Sequence, residues 1–217
     1  STNWLVRSSV DPAIMQREIR SAVHAIDPDQ PVDNFRTLAE VKSASLASPT
    51  LVATLGGLAA AGRVLFAPVP SVQPVTVIVA AAGVALGPRR GFAVGALAAI
   101  ASNFFLGQGP HTPWQMLAWG GCGLLAGLLR PLLRRRAAFV AFVLVLGFAF
   151  GTVMDLWLWL AFYPHTEAAL LARLAAGVPF NVAHAAGNVV LALVAGPELR
   201  RVLERFERRS RTEVVWA

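Results

Sequence analysis

Asp155, Asn181, His184 and Asn188 are the side chains best equipped for chemistry in a chain that is 56% hydrophobic and only 14% charged. Asp155 stands inside the run MDLWLW, and the other three recur at i, i+3 and i+7, which places them on a single helical face. An ionisable or amide group inside an apolar span costs about 1–3 kcal/mol on insertion scales, so each needs a partner or a task. Gln115 and Trp119 share a second face at i, i+4, while Arg63 and Asn103 lie near the ends of their own apolar runs. Together these residues describe a polar pocket in the outer half of a membrane bundle, centred on Asp155 and the His184 face. A lone Asn is more often an interhelical hydrogen bond that glues the bundle, and it is Asp155 with the His184 face together that favours the pocket.

Catalysis has less support. Asp155 and His184 would make an acid/base pair, but no serine or cysteine nucleophile has a recognisable setting. The sequence contains neither HExxH nor a second carboxylate deep in a span. It also lacks GxxxxGK[ST], so ATP used on its behalf must be hydrolysed by another chain. Cys122 is the single cysteine and reads as a packing residue, which removes disulfide frameworks and cysteine-based zinc sites. No internal repeat of the kind common in secondary transporters is visible. The expectation is a pocket without an engine, needing no cofactor of its own.

These residues must be held by apolar segments. The composition departs from the soluble average of roughly 45–50% apolar and 25% charged, and so predicts an all-α polytopic membrane protein. Six spans are expected, over residues 51–67, 75–86, 91–106, 114–129, 137–162 and 178–194. Several fall short of the roughly 20 residues a full crossing needs. Between the third and fourth lies a Gly/Pro-rich hairpin carrying Gln108, His111 and Thr112, followed by Trp114 and Gln115. This is suited to a cavity mouth, although interfacial loops can share that composition.

The net charge of +7 does not signal nucleic acid. Residues 1–50 carry five basic and six acidic side chains, and residues 51–217 carry fourteen and six. The excess sits in clusters beside apolar runs: Arg89 and Arg90, Arg130 with Arg134 to Arg136, and the stretch 200–211. With six spans all three clusters share one side, which the positive-inside rule makes cytoplasmic, so both ends of the chain are expected inside. In residues 199–217, Leu199, Val202, Leu203 and Phe206 follow i, i+3, i+4, i+7. They form an amphipathic face for the inner membrane surface or for a partner helix.

Residues 1–49 read as a small α+β segment. WLVRSSV alternates like a strand, and Asp11-Pro12 opens a helix carrying Ile14, Ile19, Val23 and Ile26. The stretch 27–31 breaks it, residues 32–36 extend, and Thr37-x-x-Glu40 caps a second helix. A chain that opens on Ser1 with no signal-peptide pattern reads as a fragment of a longer product.

Two resemblances follow from these runs. WLVRSSVDP, AIDPDQPV and RTLAEVKSASLASPTLVATLGGLA resemble the end of the extracytoplasmic domain of MacB/FtsX-like ABC permeases. That resemblance implies a partial module lying outside, against the arginine topology, which places it inside; three separate loops support the topology. Residues 55–205, with NFFLGQGPHTPWQM, FGTVMDLWLWLAF and AHAAGNVV, resemble the substrate-specific S component of energy-coupling factor (ECF) vitamin transporters. The resemblance implies a six-helix bundle with both termini inside that captures a vitamin or its precursor, a corrinoid among the options. It further implies delivery through a separate transmembrane coupling protein and a pair of ATPases. Ala53, Gly57 and Ala61 would form the coupling face, with Gly57 standing where the family's motif has Ala. Residues 68–74, including Gln73, would cover a pocket lined by Arg63, Asn103, Gln108, Gln115, Trp119, Asp155, Asn181, His184 and Asn188. Trp114, Trp119, Trp157 and Trp159 suit a flat ring or, alternatively, the membrane interface.

Overall fold

The computed structural model describes residues 6–32, 35 and 37–211, and every regular element among them is helical. The chain divides after Ala47 into two units.

In the first unit, α1 (Pro12–Ile26) starts where Asp11 accepts the Ala13 N–H at 2.8 Å, with Pro12 at the first helical position. None of its residues is buried, and Ile26 is 88% exposed. The expected strand is not found: residues 6–10 are irregular, and the Val10 N–H turns back to Ser8 Oγ at 3.0 Å. A strand needs a neighbour for its backbone groups, and the described residues supply none. Trp4, Leu5 and most of the expected extended stretch 32–36 lie outside the described residues.

Helix α2 (Leu38–Leu65) begins directly after Thr37 and continues through Pro49, so two helices expected separately form one element. Its second half belongs to the second unit, with α3 (Val75–Leu86), α4 (Pro88–Leu106), α5 (Thr112–Leu128), a 3-10 turn at Leu132–Arg134, α6 (Arg136–Phe162), α7 (Glu167–Val194) and α8 (Gly196–Arg211).

The core is built around α3. Its sequence VTVIVAAAGVAL is apolar on every face, and all twelve residues are buried. At 1.5 Å per residue it is only about 18 Å long, so it serves as the bundle's axis rather than as a lipid-facing span. Helices α4 and α5 close on it backbone to backbone: a Cβ at Gly83, Gly91 or Gly123 would overlap a neighbouring main chain. Among the described residues, helices α6 and α7 are the two long and apolar enough to cross a membrane, and they approach closely where Gly147 meets Ala185.

The bundle has two chemically different ends. At one, Gly127 abuts Pro88, the Arg136 Nη2 donates to the Leu193 carbonyl at 2.8 Å, and Gly196 lies against Phe139. Arg89–Arg90, Arg130 and Arg134–Arg136 therefore flank this end, and α8 starts from it. Helix α8 is not a free tail here, since it packs on α3 and α7 with Leu203 buried and Leu199 against the core. Val202, expected on the same apolar face, is 60% exposed, and Phe206 falls outside the described side chains. The buried polar residues other than Asn188 gather at the opposite end.

Candidate functional site

A cavity of about 260 Å³ opens between α2, α5, α6, α7 and the loop 66–74. Of the ten expected pocket residues, Arg63, Gln73, Gln115, Trp119, Asp155, Asn181 and His184 line it. Asn103, Gln108 and Asn188 do not. Ser71, Phe150, Gly151, Met154, Arg173 and Phe180 complete the wall.

One wall is a hydrogen-bond chain. The Arg63 Nη1 donates to Ser102 Oγ at 2.6 Å and to Asn103 Oδ1, and its guanidinium lies 4.9 Å above the Trp119 ring. The Asn103 amide then donates to Thr112 Oγ1 and Gln115 Oε1, both at 2.8 Å. Asn103 is thus fully buried behind the cavity, joining the starts and ends of three helices. Gln108 belongs to the same scaffold, accepting from Thr112 at 2.9 Å and donating to the Ile100 carbonyl at 3.1 Å. The hairpin after α4 is therefore riveted by its polar side chains rather than opening as the mouth of the pocket. Only Gln115 from that stretch reaches the cavity.

The opposite wall is ionic. Arg173 and Asp155 pair at 2.8 Å, and Asn181 Nδ2 donates to the second carboxylate oxygen at 3.0 Å. Two glycines make the space: a Cβ at Gly177 would overlap the Asp155 carboxylate, and one at Gly151 would overlap the Asn181 amide. Arg173 was expected outside the sixth span. Because α7 begins at Glu167, it instead sits two turns before Asn181 on the same face.

His184 holds the roof. Its Nδ1 meets the Ser71 carbonyl at 2.8 Å and its Nε2 meets Thr76 Oγ1 at 3.1 Å. A donor at Nδ1 leaves Nε2 to accept from the threonine hydroxyl. Ser71 adopts φ +60°, a left-handed conformation uncommon outside glycine, so this bond fixes a sharp turn in the loop above the cavity. Asp155 and His184, the pair that the less supported catalytic reading would need, each have other partners and share no hydrogen bond. Asn188 is fully buried between α6 and α7, donating to the Val143 carbonyl at 3.2 Å, and acts as interhelical glue. Among the four tryptophans suited to a flat ring, only Trp119 reaches the cavity, stacked on Phe150 at 4.3 Å. The described residues hold no cluster of His, Cys, Asp and Glu suited to a metal.

The fold and site define a membrane-embedded helical bundle with a polar cavity inside. Residues 48–196 match the family model of the ECF transporter, substrate-specific component, and the chain belongs to that family. Members of the family are transporter subunits rather than enzymes. No curated protein and no solved structure matches the chain.

Proposed function

We propose that this protein captures a vitamin or vitamin precursor at the extracytoplasmic face and passes it to a separate coupling protein energised by a pair of ATPases. The observation that carries this reading is the segregation of the bundle's ends. Arginine clusters flank one end, and a cavity of about 260 Å³ with buried polar walls lies toward the other. With the arginine end cytoplasmic, the cavity faces outward, helices α2 to α7 make six crossings and both termini lie inside.

The volume narrows the cargo. It falls just below the roughly 300–1,000 Å³ of pockets that enclose drug-sized ligands, which favours a single small ring system over a corrinoid. Ala53, Gly57 and Ala61 are all exposed on α2, and nothing lies within 4 Å of the place a Gly57 side chain would occupy. This supports a face on which another membrane helix can approach closely. Residues 1–49, outside most of the matched region, are dispensable for capture on this reading, and nucleic acid has no role.

The test is titration of the purified chain in lipid nanodiscs with a panel of vitamins, read by tryptophan emission. A saturable change for at least one vitamin, lost in Trp119→Phe, is expected. No response to any of them, with the protein folded, would overturn the reading.

A further inference from the structure

The charges that face the cavity do not cancel. Its ionisable lining groups are Arg63, Asp155, Arg173 and His184. Asp155 and Arg173 neutralise each other at 2.8 Å, and His184 spends both ring nitrogens on Ser71 and Thr76. Arg63 is left as a cation 92% removed from solvent, with no carboxylate partner among the described residues. Burying a charge without a counter-ion is costly, and hydroxyl, amide and ring-face contacts offset only part of that cost.

The guanidinium is also half used. Nη1 makes both hydrogen bonds, Nε is buried with no partner, and Nη2 makes no hydrogen bond among the described residues. Nε–H and the adjacent Nη2–H form one edge of a planar fork, the edge that receives a carboxylate or phosphate through two parallel bonds. The Arg63 Cζ lies 4.9 Å from the centroid of the Trp119 ring, and Trp119 stacks on Phe150, so an aromatic surface lines the cavity beside the guanidinium.

We infer that the substrate carries an oxyanion, a carboxylate or a phosphate monoester, and that the Arg63 guanidinium, which lines the cavity, receives it with the donors that Ser102 and Asn103 leave unused. This rests on the capture reading and names the chemical class that its cavity takes. A cavity of about 260 Å³ restricts the molecule to a compact scaffold on which the anion is a large part of the recognition.

Matched pairs that differ in the anion alone test it: nicotinate against nicotinamide, pantothenate against pantothenol, biotin against biotinamide, and pyridoxal 5′-phosphate against pyridoxal. Riboflavin and thiamine are included as references without an oxyanion. Affinities are measured by calorimetry on the whole chain in nanodiscs. The expected result is that at least one acid or phosphate binds about tenfold or more tightly than its uncharged partner. Arg63→Gln removes that preference, and Arg63→Lys keeps part of it. The pair that responds distinguishes carboxylate from phosphate. If an uncharged member or a reference compound binds as tightly as any anion, or Arg63→Gln retains the preference, the inference is overturned while capture stands. If no compound binds to folded protein, both are overturned. Should Arg63→Gln not fold, the wild-type comparison across the pairs decides the matter alone.

Discussion

Arg173 and Asp155, eighteen residues apart on neighbouring helices, close an ion pair at 2.8 Å in the wall of the cavity. The pair is half of what separates this site from a simple packed core, since it ties α6 to α7 while keeping two charged groups on the lining. Removing one member leaves the other uncompensated in a wall that is only partly accessible to water. Arg173→Ala should destabilise the bundle by about 3 kcal/mol. Asp155→Asn should cost less, because Arg173 is the more exposed partner, with 18% of its side chain accessible against 7% for Asp155. The double variant Asp155→Asn/Arg173→Gln should recover part of the loss. Thermal unfolding in detergent gives the ranking, and equal effects of the two single variants would contradict it.

Glycine at 177 is required by that carboxylate. Gly177→Ala should cost about 1–3 kcal/mol through overpacking and should weaken ligand binding by displacing Asp155. Gly57→Ala, whose added methyl meets open space, should leave stability unchanged or slightly raised. Melting midpoints of the two variants make the comparison.

The loop above the cavity depends on His184. Loss of its bonds to Ser71 and Thr76 in His184→Ala should free the turn at residues 66–74, where short backbone bonds such as Val69 N to the Phe66 carbonyl hold it. Hydrogen exchange at these amides should accelerate while the amides of α3 stay protected. Unchanged exchange in the loop would show that the histidine does not anchor it.

Much of this arrangement was legible in the sequence. The spacing of Asn181, His184 and Asn188 placed them on one face, and the arginine clusters marked one end of the bundle. What failed has physical reasons. The sixth span is expected to start at residue 178, yet Arg173, Gly177, Asn181, His184 and Asn188 continue one face of α7 in steps of three and four. Extending that face backward would have found Arg173. Ser71 contributes a backbone carbonyl, which leaves no pattern in side-chain chemistry. Gln108 and Asn103 looked like binding groups because a polar residue near a membrane reads the same whether it faces a ligand or a neighbouring helix. Their partners, Thr112 and Ile100, decide the matter only in three dimensions.

The exposed face of α2 has a functional prediction separate from binding. Gly57→Leu should leave vitamin affinity within about twofold of wild type, because the position is exposed and away from the cavity lining. In proteoliposomes containing the coupling protein and its ATPases it should abolish ATP-dependent uptake, since a bulky side chain blocks close helix approach. Retained uptake would remove this face from the coupling interface.

Side-specific thiol labelling measures directly whether the cavity opens to the extracytoplasmic side. Cys122 is the single native cysteine and is buried, so Cys122→Ser provides the background for Gln73→Cys on the cavity rim. A membrane-impermeant maleimide added to intact cells should label residue 73, and a bound vitamin should slow the reaction. Labelling that requires permeabilised cells would contradict the account.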